Sequence, residues 1–201
     1  MASTKTPPGR QPPKAHLPPA PLPRSERVLL LVDFINPLDF PKAGDLLGPA
    51  WQAAQATARL KARLVRQGCA VIYANDNYGV WHSEFRDILS HCCALPGMRG
   101  EMARLLAPAP QDLVLLKPRH SAFHSTPLQY LLSRMQAREL VVTGLATDIC
   151  VQFTASDALM HGYDVWIPSD CTAAENDEWK DAALRHMQRV LRCSTRQGSR
   201  A

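Results

Sequence analysis

Apolar residues fall in short blocks separated by polar stretches, and the blocks alternate between two periods. Arg27-Val-Leu-Leu-Leu-Val-Asp33 is a continuous apolar run closed by a carboxylate, the pattern of a strand buried on both faces. From Pro49 to Gln67 the period becomes helical, with Trp51, Ala54, Ala58, Ala62 and Val65 along one face. Pro49 suits a first helical turn and Gly68 a helix end. Cys69-Ala-Val-Ile-Tyr73 predicts a second strand and Asp112-Leu-Val-Leu-Leu-Lys117 a third, again ending in a charge. A short helix carrying Leu128, Leu131, Leu132 and Met135 follows Pro127, and Glu139-Leu-Val-Val-Thr143 is the fourth strand. Gly144 turns into a helix reaching about Met160, and Tyr163-Asp-Val-Trp-Ile167 is the fifth strand. A last helix starts near Glu175, with Trp179, Ala183, Met187 and Val190 on one side.

Strands alternating with helices imply an α/β fold: a parallel sheet covered by helices on both faces. In such sheets ligands bind beyond the carboxyl ends of the strands. Three strands end in, or lead directly to, Asp33, Lys117 and Cys150, so these side chains are expected on one edge. Residues 1–24 hold eight prolines and little apolar periodicity, a composition that cannot offset its ordering entropy, and are expected to be disordered. The folded domain is expected over 25–193, with 194–201 a flexible tail.

Charge changes this picture little. The net charge is +5, but residues 1–27 contribute +4 and residues 192–201 contribute +3, leaving the body at −2. Basic tails on an acidic body do not point to nucleic acid. No run approaches the roughly 18 apolar residues of a membrane helix, and no secretory signal is evident. Six cysteines without a C-x-x-C pair suggest reduced thiols in a cytoplasmic protein rather than a disulfide framework.

Cys150 follows Gly144 by six residues, at the start of a helix, where backbone N–H groups and the helix dipole favour a thiolate and an oxyanion. A buried structural cysteine is the plainer reading of that position alone. Asp33 reads equally as a cap or ion-pair partner, and most lysines are surface charges. Together the three make a nucleophile, a base and an electrostatic tuner, since a carboxylate held ionised beside an ammonium can accept a thiol proton.

Leu-Leu-Val-Asp33-Phe-Ile-Asn, Leu-Lys117-Pro-Arg-His-Ser-Ala-Phe123 and Gly144-Leu-Ala-Thr-Asp-Ile-Cys150-Val together resemble the isochorismatase-like hydrolases, from about Arg27 to Ala174. That family includes nicotinamidases, carbamoyl-amide hydrolases and isochorismatases. The resemblance implies a three-layer α/β/α fold of Rossmann-like topology, with a mainly parallel sheet of about five to six strands. It also implies an Asp33–Lys117–Cys150 triad cleaving an amide or carbamoyl bond of a small molecule through a thioester. A cis peptide at Leu145–Ala146 and an oxyanion hole from the N–H groups of Ala146 and Cys150 follow from the same likeness, as does a homodimer or homotetramer.

The chain departs from its relatives after the second strand. Nicotinamidases carry a metal-binding Asp and two His there, whereas this chain offers Asp76, then Tyr78 at the first His position, and His82 further on. No metal is expected; Asp76 and His82 are too few donors for a closed site. Phe34, Asn77, Trp81 and Phe123 are the expected pocket walls. Ether hydrolysis of the isochorismatase type, and a non-catalytic or redox protein on the same scaffold, remain as alternatives.

Overall fold

The computed structural model describes residues 21–82 and 84–200. Strand β1 (Arg27–Val32) lies at the centre of the sheet. On one side stand β2 (Ala70–Asp76) and β3 (Leu113–Lys117); on the other stand β4 (Glu139–Leu145) and β5 (Asp164–Trp166). The order is β3-β2-β1-β4-β5, every pairing is parallel, and the two-residue β6 (Thr172–Ala173) adds to the end of β4.

The apolar run of β1 divides by parity. Leu29 and Leu31 enter one core cluster, while Val28, Leu30 and Val32 enter the other. The first cluster lies under α1 (Ala43–Arg66), α2 (Phe85–Ala94) and α3 (Gly97–Leu105). The second lies under α4 (Leu128–Met135), α5 (Gln152–Met160) and α6 (Asp177–Arg189). A strand with helices on both faces must be apolar at successive positions, which is why β1 shows no alternation. Among the described residues no helix is long and apolar enough to cross a membrane.

Helix α1 begins at Ala43, so Pro49 lies inside it rather than in its first turn. Its buried stripe runs through Leu46, Ala50, Ala53, Ala54, Thr57, Leu60 and Leu64, while Ala62 and Val65 face outward. Small alanines let this helix approach the sheet closely, and of the expected face Trp51, Ala54 and Ala58 pack on the core. Helices α2 and α3 are absent from the sequence reading. In α2 Phe85, Ile88 and Cys92 are buried and Leu89 packs beside them, a helical spacing carried over only ten residues, and its start is marked by a capping box. There the Glu84 N–H donates to Asp87 Oδ2 at 3.0 Å.

Both termini of the domain move outward. The expected disordered segment falls, for residues 1–20, outside the described residues; Leu22 packs on the second core cluster, and the Ser25 N–H donates to the Met135 carbonyl at 2.9 Å. Beyond Cys193 the chain is tied down rather than a free tail. The Ile167 N–H donates to the Ser194 carbonyl at 2.8 Å, and Trp166 Nε1 donates to the Arg196 carbonyl at 2.8 Å. The Gly198 N–H donates to Asp170 Oδ1 at 2.5 Å. Ser194, Arg196, Gln197 and Ser199 are exposed, and it is bonding to the β5 end and to Asp170 that holds the segment.

Candidate active site

The chain leaves β1 for β2 in one direction and later returns to place β4 on the opposite side of β1. The crevice at such a switch point is where open α/β sheets bind ligands. Asp33 follows β1 in a left-handed conformation, φ 53°, which turns the chain as the strand ends. Lys117 closes β3, two strands away, and so must reach across about 10 Å of sheet. A lysine stem can span that gap. Its Nζ meets Asp33 Oδ2 at 2.7 Å and lies 4.0 Å from Asp76 Oδ2. The ammonium is 0 % exposed and Asp33 is 4 % exposed.

Cys150 completes the cluster. Lys117 Nζ stands 3.6 Å from Cys150 Sγ and also donates to the Arg119 carbonyl at 3.2 Å. Asp33 Oδ1 accepts the Asp76 N–H at 2.8 Å. The structure therefore brings Asp33, Lys117 and Cys150 together at the carboxyl edge of the sheet.

Electrostatics set their resting protonation. Burial pushes the Asp33 carboxyl up, against the pull of the Lys117 ammonium. Burial pulls Lys117 down, but Asp33 and Cys150 outweigh it and hold the ammonium charged. Burial and then the neighbouring Asp33 push the Cys150 thiol up, with Lys117 opposing. The helix start does not by itself make a thiolate here; the thiol keeps its proton beside a carboxylate with raised proton affinity, an arrangement suited to general-base activation.

The turn carrying Cys150 is π-helical over Thr147–Val151 and leads directly into α5. The Leu145–Ala146 peptide is cis, and the N–H groups of Ile149 and Val151 both donate to the Ala146 carbonyl, at 3.2 and 3.1 Å. Gly144 sits at φ +138°, where a Cβ would lie 2.1 Å from the Val32 carbonyl oxygen; only glycine allows β4 to pass β1 this closely. Two buried threonines brace the same turn. Thr172 Oγ1 donates to the Gly144 carbonyl at 2.8 Å and pairs with Thr147 Oγ1 at 2.9 Å. Neither was singled out by sequence, because a lone threonine carries no pattern.

The expected pocket walls separate. Phe34 is fully buried in the first core cluster and offers no surface to a ligand, because the turn at Asp33 swings the next residue inward. Phe123 packs on His161, at 5.0 Å between ring centroids, and on Tyr163. Its ring thus points toward the C-terminal end of α5, away from Cys150, while the preceding Ala122 N–H donates to Thr154 Oγ1 at 3.0 Å. Asn77 is buried next to the site: its N–H donates to the Lys117 carbonyl at 3.1 Å and its Oδ1 accepts the Gly79 N–H at 3.0 Å. Trp81 is 76 % exposed on the loop after β2.

In that loop Asp76 and Tyr78 are engaged in local bonds. Asp76 Oδ1 accepts the Tyr78 N–H at 2.6 Å, and the Tyr78 hydroxyl is directed to the Ile35 carbonyl at 3.3 Å. His82 is exposed. Among the described residues no group of three or more His, Cys, Asp and Glu is placed to hold a metal.

A residue outside the expected site also touches the thiol. His120 Nδ1 lies 3.8 Å from Cys150 Sγ, and its ring stacks on Phe153 at 5.6 Å.

Comparison with known proteins agrees with this architecture. An uncharacterized isochorismatase family protein, YaaI, from Bacillus subtilis is 36% identical over 168 residues, covering 84% of this chain and 92% of that one. The ureidoacrylate amidohydrolase RutB of Methylorubrum extorquens is 39% identical over 84 residues, 41% of this chain and 34% of that protein. The nicotinamidase SaPncA of Staphylococcus aureus superposes with a TM-score of 0.67 at 24% identity, over 86% of this chain and 98% of that one. N-carbamoylsarcosine amidase from Thermoplasma acidophilum gives 0.65 at 24% identity, over 86% and 96%. The isochorismatase domain model matches residues 27–197, and with the β3-β2-β1-β4-β5 sheet it establishes that this chain belongs to the isochorismatase family of hydrolases.

Proposed function

We propose that the chain is a cysteine hydrolase that cleaves an amide or carbamoyl C–N bond of a small molecule through a thioester on Cys150. The observation that carries this reading is the convergence of Asp33, Lys117 and Cys150, with Lys117 Nζ 2.7 Å from the carboxylate and 3.6 Å from the sulfur. Amidohydrolases among the relatives support the bond type.

In this reading Asp33 takes the thiol proton as Sγ attacks the substrate carbonyl, and Lys117 balances the charge as it moves between carboxylate and sulfur. The N–H groups of Ala146 and Cys150 hold the developing oxyanion. Collapse expels the amine, which leaves with the proton from Asp33, and a thioester remains. Water then releases the acid and restores the thiol.

The test pairs wild type with Cys150→Ala against a panel of small amides, carbamoyl compounds and isochorismate, following amine release and intact mass together. Turnover, or an acyl adduct on Cys150, in the wild type alone is the expected result. Turnover retained by Cys150→Ala, or confined to isochorismate, overturns the thioester route.

A further inference from the structure

We infer that His120 is a catalytic residue of this chain: the general base that directs water onto the Cys150 thioester, leaving Asp33 to serve only the formation of that thioester. The inference rests on the hydrolase reading above and divides its two half-reactions between two groups.

The two flanks of Cys150 Sγ differ. On the inner side are Lys117 and Asp33, 0 % and 4 % exposed, and both Asp33 oxygens are engaged: Oδ2 by the ammonium, Oδ1 by the Asp76 N–H. Asp33 therefore meets the thiol directly but offers little to a water arriving from solvent. On the outer side stands His120, exposed, with Nδ1 3.8 Å from the sulfur. His120 is thus the solvent-exposed group at the sulfur, and a general base has to lie within one hydrogen bond of the attacking water.

The ring is also held in place. It stacks on Phe153, three residues beyond Cys150 on the same helix, at an interplanar angle of 28°. Its loop is fixed at both ends: Lys117 Nζ donates to the Arg119 carbonyl at 3.2 Å, and the Ala122 N–H donates to Thr154 Oγ1 at 3.0 Å. Ser121 Oγ donates to Asp157 Oδ2 at 2.5 Å. The ammonium that tunes the thiol thus also pins the residue before His120.

The step balances without a further reactant. Water adds its oxygen to the acyl carbon as its proton passes to His120. The C–S bond breaks with its electron pair going to sulfur, and the imidazolium returns the proton to the departing thiolate. The products are the carboxylic acid and the free thiol, with His120 neutral again.

The experiment uses 4-nitrophenyl acetate as an acyl donor with wild type, Cys150→Ala, His120→Gln and His120→Ala. It follows the nitrophenol burst, the steady-state rate and the intact mass. Both His120 variants are expected to keep the burst rate within a few-fold and to accumulate acetyl-enzyme on Cys150, while steady-state release falls by about 100-fold or more. Wild-type rates of acetyl-enzyme breakdown in both variants would overturn the assignment. Burst and steady state falling by one common factor would equally overturn it, showing that His120 merely shapes the site. Wild-type nitrophenol release and acetylation no different from Cys150→Ala is a separate result, which removes the nucleophile assignment and this inference with it. Unfolding midpoints of the exposed-site variants, measured alongside, are expected to match wild type.

Discussion

Replacing Lys117 with methionine is the most direct test of how the buried cluster is built. The substitution keeps most of the stem volume and removes an ammonium that is 0 % exposed and 2.7 Å from Asp33. The carboxylate left behind is 4 % exposed and keeps only neutral partners, the Asp76 N–H and the Cys150 thiol. Breaking a buried pair by removing one partner costs about 3–5 kcal/mol, a large share of the roughly 5–15 kcal/mol that holds a domain together. At about 2–4 °C per kcal/mol for a domain of this size, Tm falls by roughly 6–20 °C. The double variant Lys117→Met with Asp33→Asn removes both charges and is expected to regain much of that loss, giving a coupling of at least about 2 kcal/mol. Urea unfolding followed by circular dichroism, with unchanged m, measures both. The pH dependence supplies the sign. Burial raises the Asp33 carboxyl from its ordinary 3.8, and removing Lys117 raises it further. A carboxyl with a raised folded-state pKa contributes stability below its unfolded value and loses it as pH rises through the folded one. The deficit of Lys117→Met is therefore greatest near neutrality and shrinks as pH falls toward 4. A cost below about 1 kcal/mol, additive behaviour in the double variant, or a deficit that grows in acid would each refute the reasoning.

Because Asp33 must be ionised to accept the thiol proton and burial raises it, the acid limb of kcat/KM should lie above the ordinary carboxylate range; a profile flat down to pH 4 contradicts this. Gly144→Ala places a Cβ 2.1 Å from the Val32 carbonyl oxygen at φ +138°, and little folded protein is expected; a wild-type urea midpoint would show that β4 can shift. Thr172→Val leaves the buried Gly144 carbonyl and Thr147 hydroxyl short of a partner, a cost of about 1–3 kcal/mol by chemical unfolding. Truncation after Cys193 removes the Ser194, Arg196 and Gly198 contacts to Ile167, Trp166 and Asp170. It should lower Tm, and an unchanged Tm would show those contacts to be dispensable.

Strands β1 to β5 were legible as short apolar runs, those of β1 and β3 closed by a charge and that of β4 followed by a glycine, whereas the two-residue β6 was not. The same logic put Asp33, Lys117 and Cys150 on one edge, since in a parallel sheet every strand ends at the same side. Helices α2 and α3 are only ten and nine residues long and were missed, although Phe85, Ile88, Leu89 and Cys92 carry a helical spacing that could have found α2. In α1 the expected face holds at Trp51, Ala54 and Ala58, which pack on the core, and fails at Ala62 and Val65, which are exposed. What sequence alone determined was the alternation of elements and the chemistry at the strand ends, both of which are local. Tertiary structure alone decided the strand order, which makes Lys117 reach across β2 to Asp33. It also buried Phe34, packed the Phe123 ring on His161 and Tyr163, and set His120 against the sulfur from the loop after β3. Those outcomes depend on which faces meet once the sheet closes its core, and spacing along the chain carries no record of that.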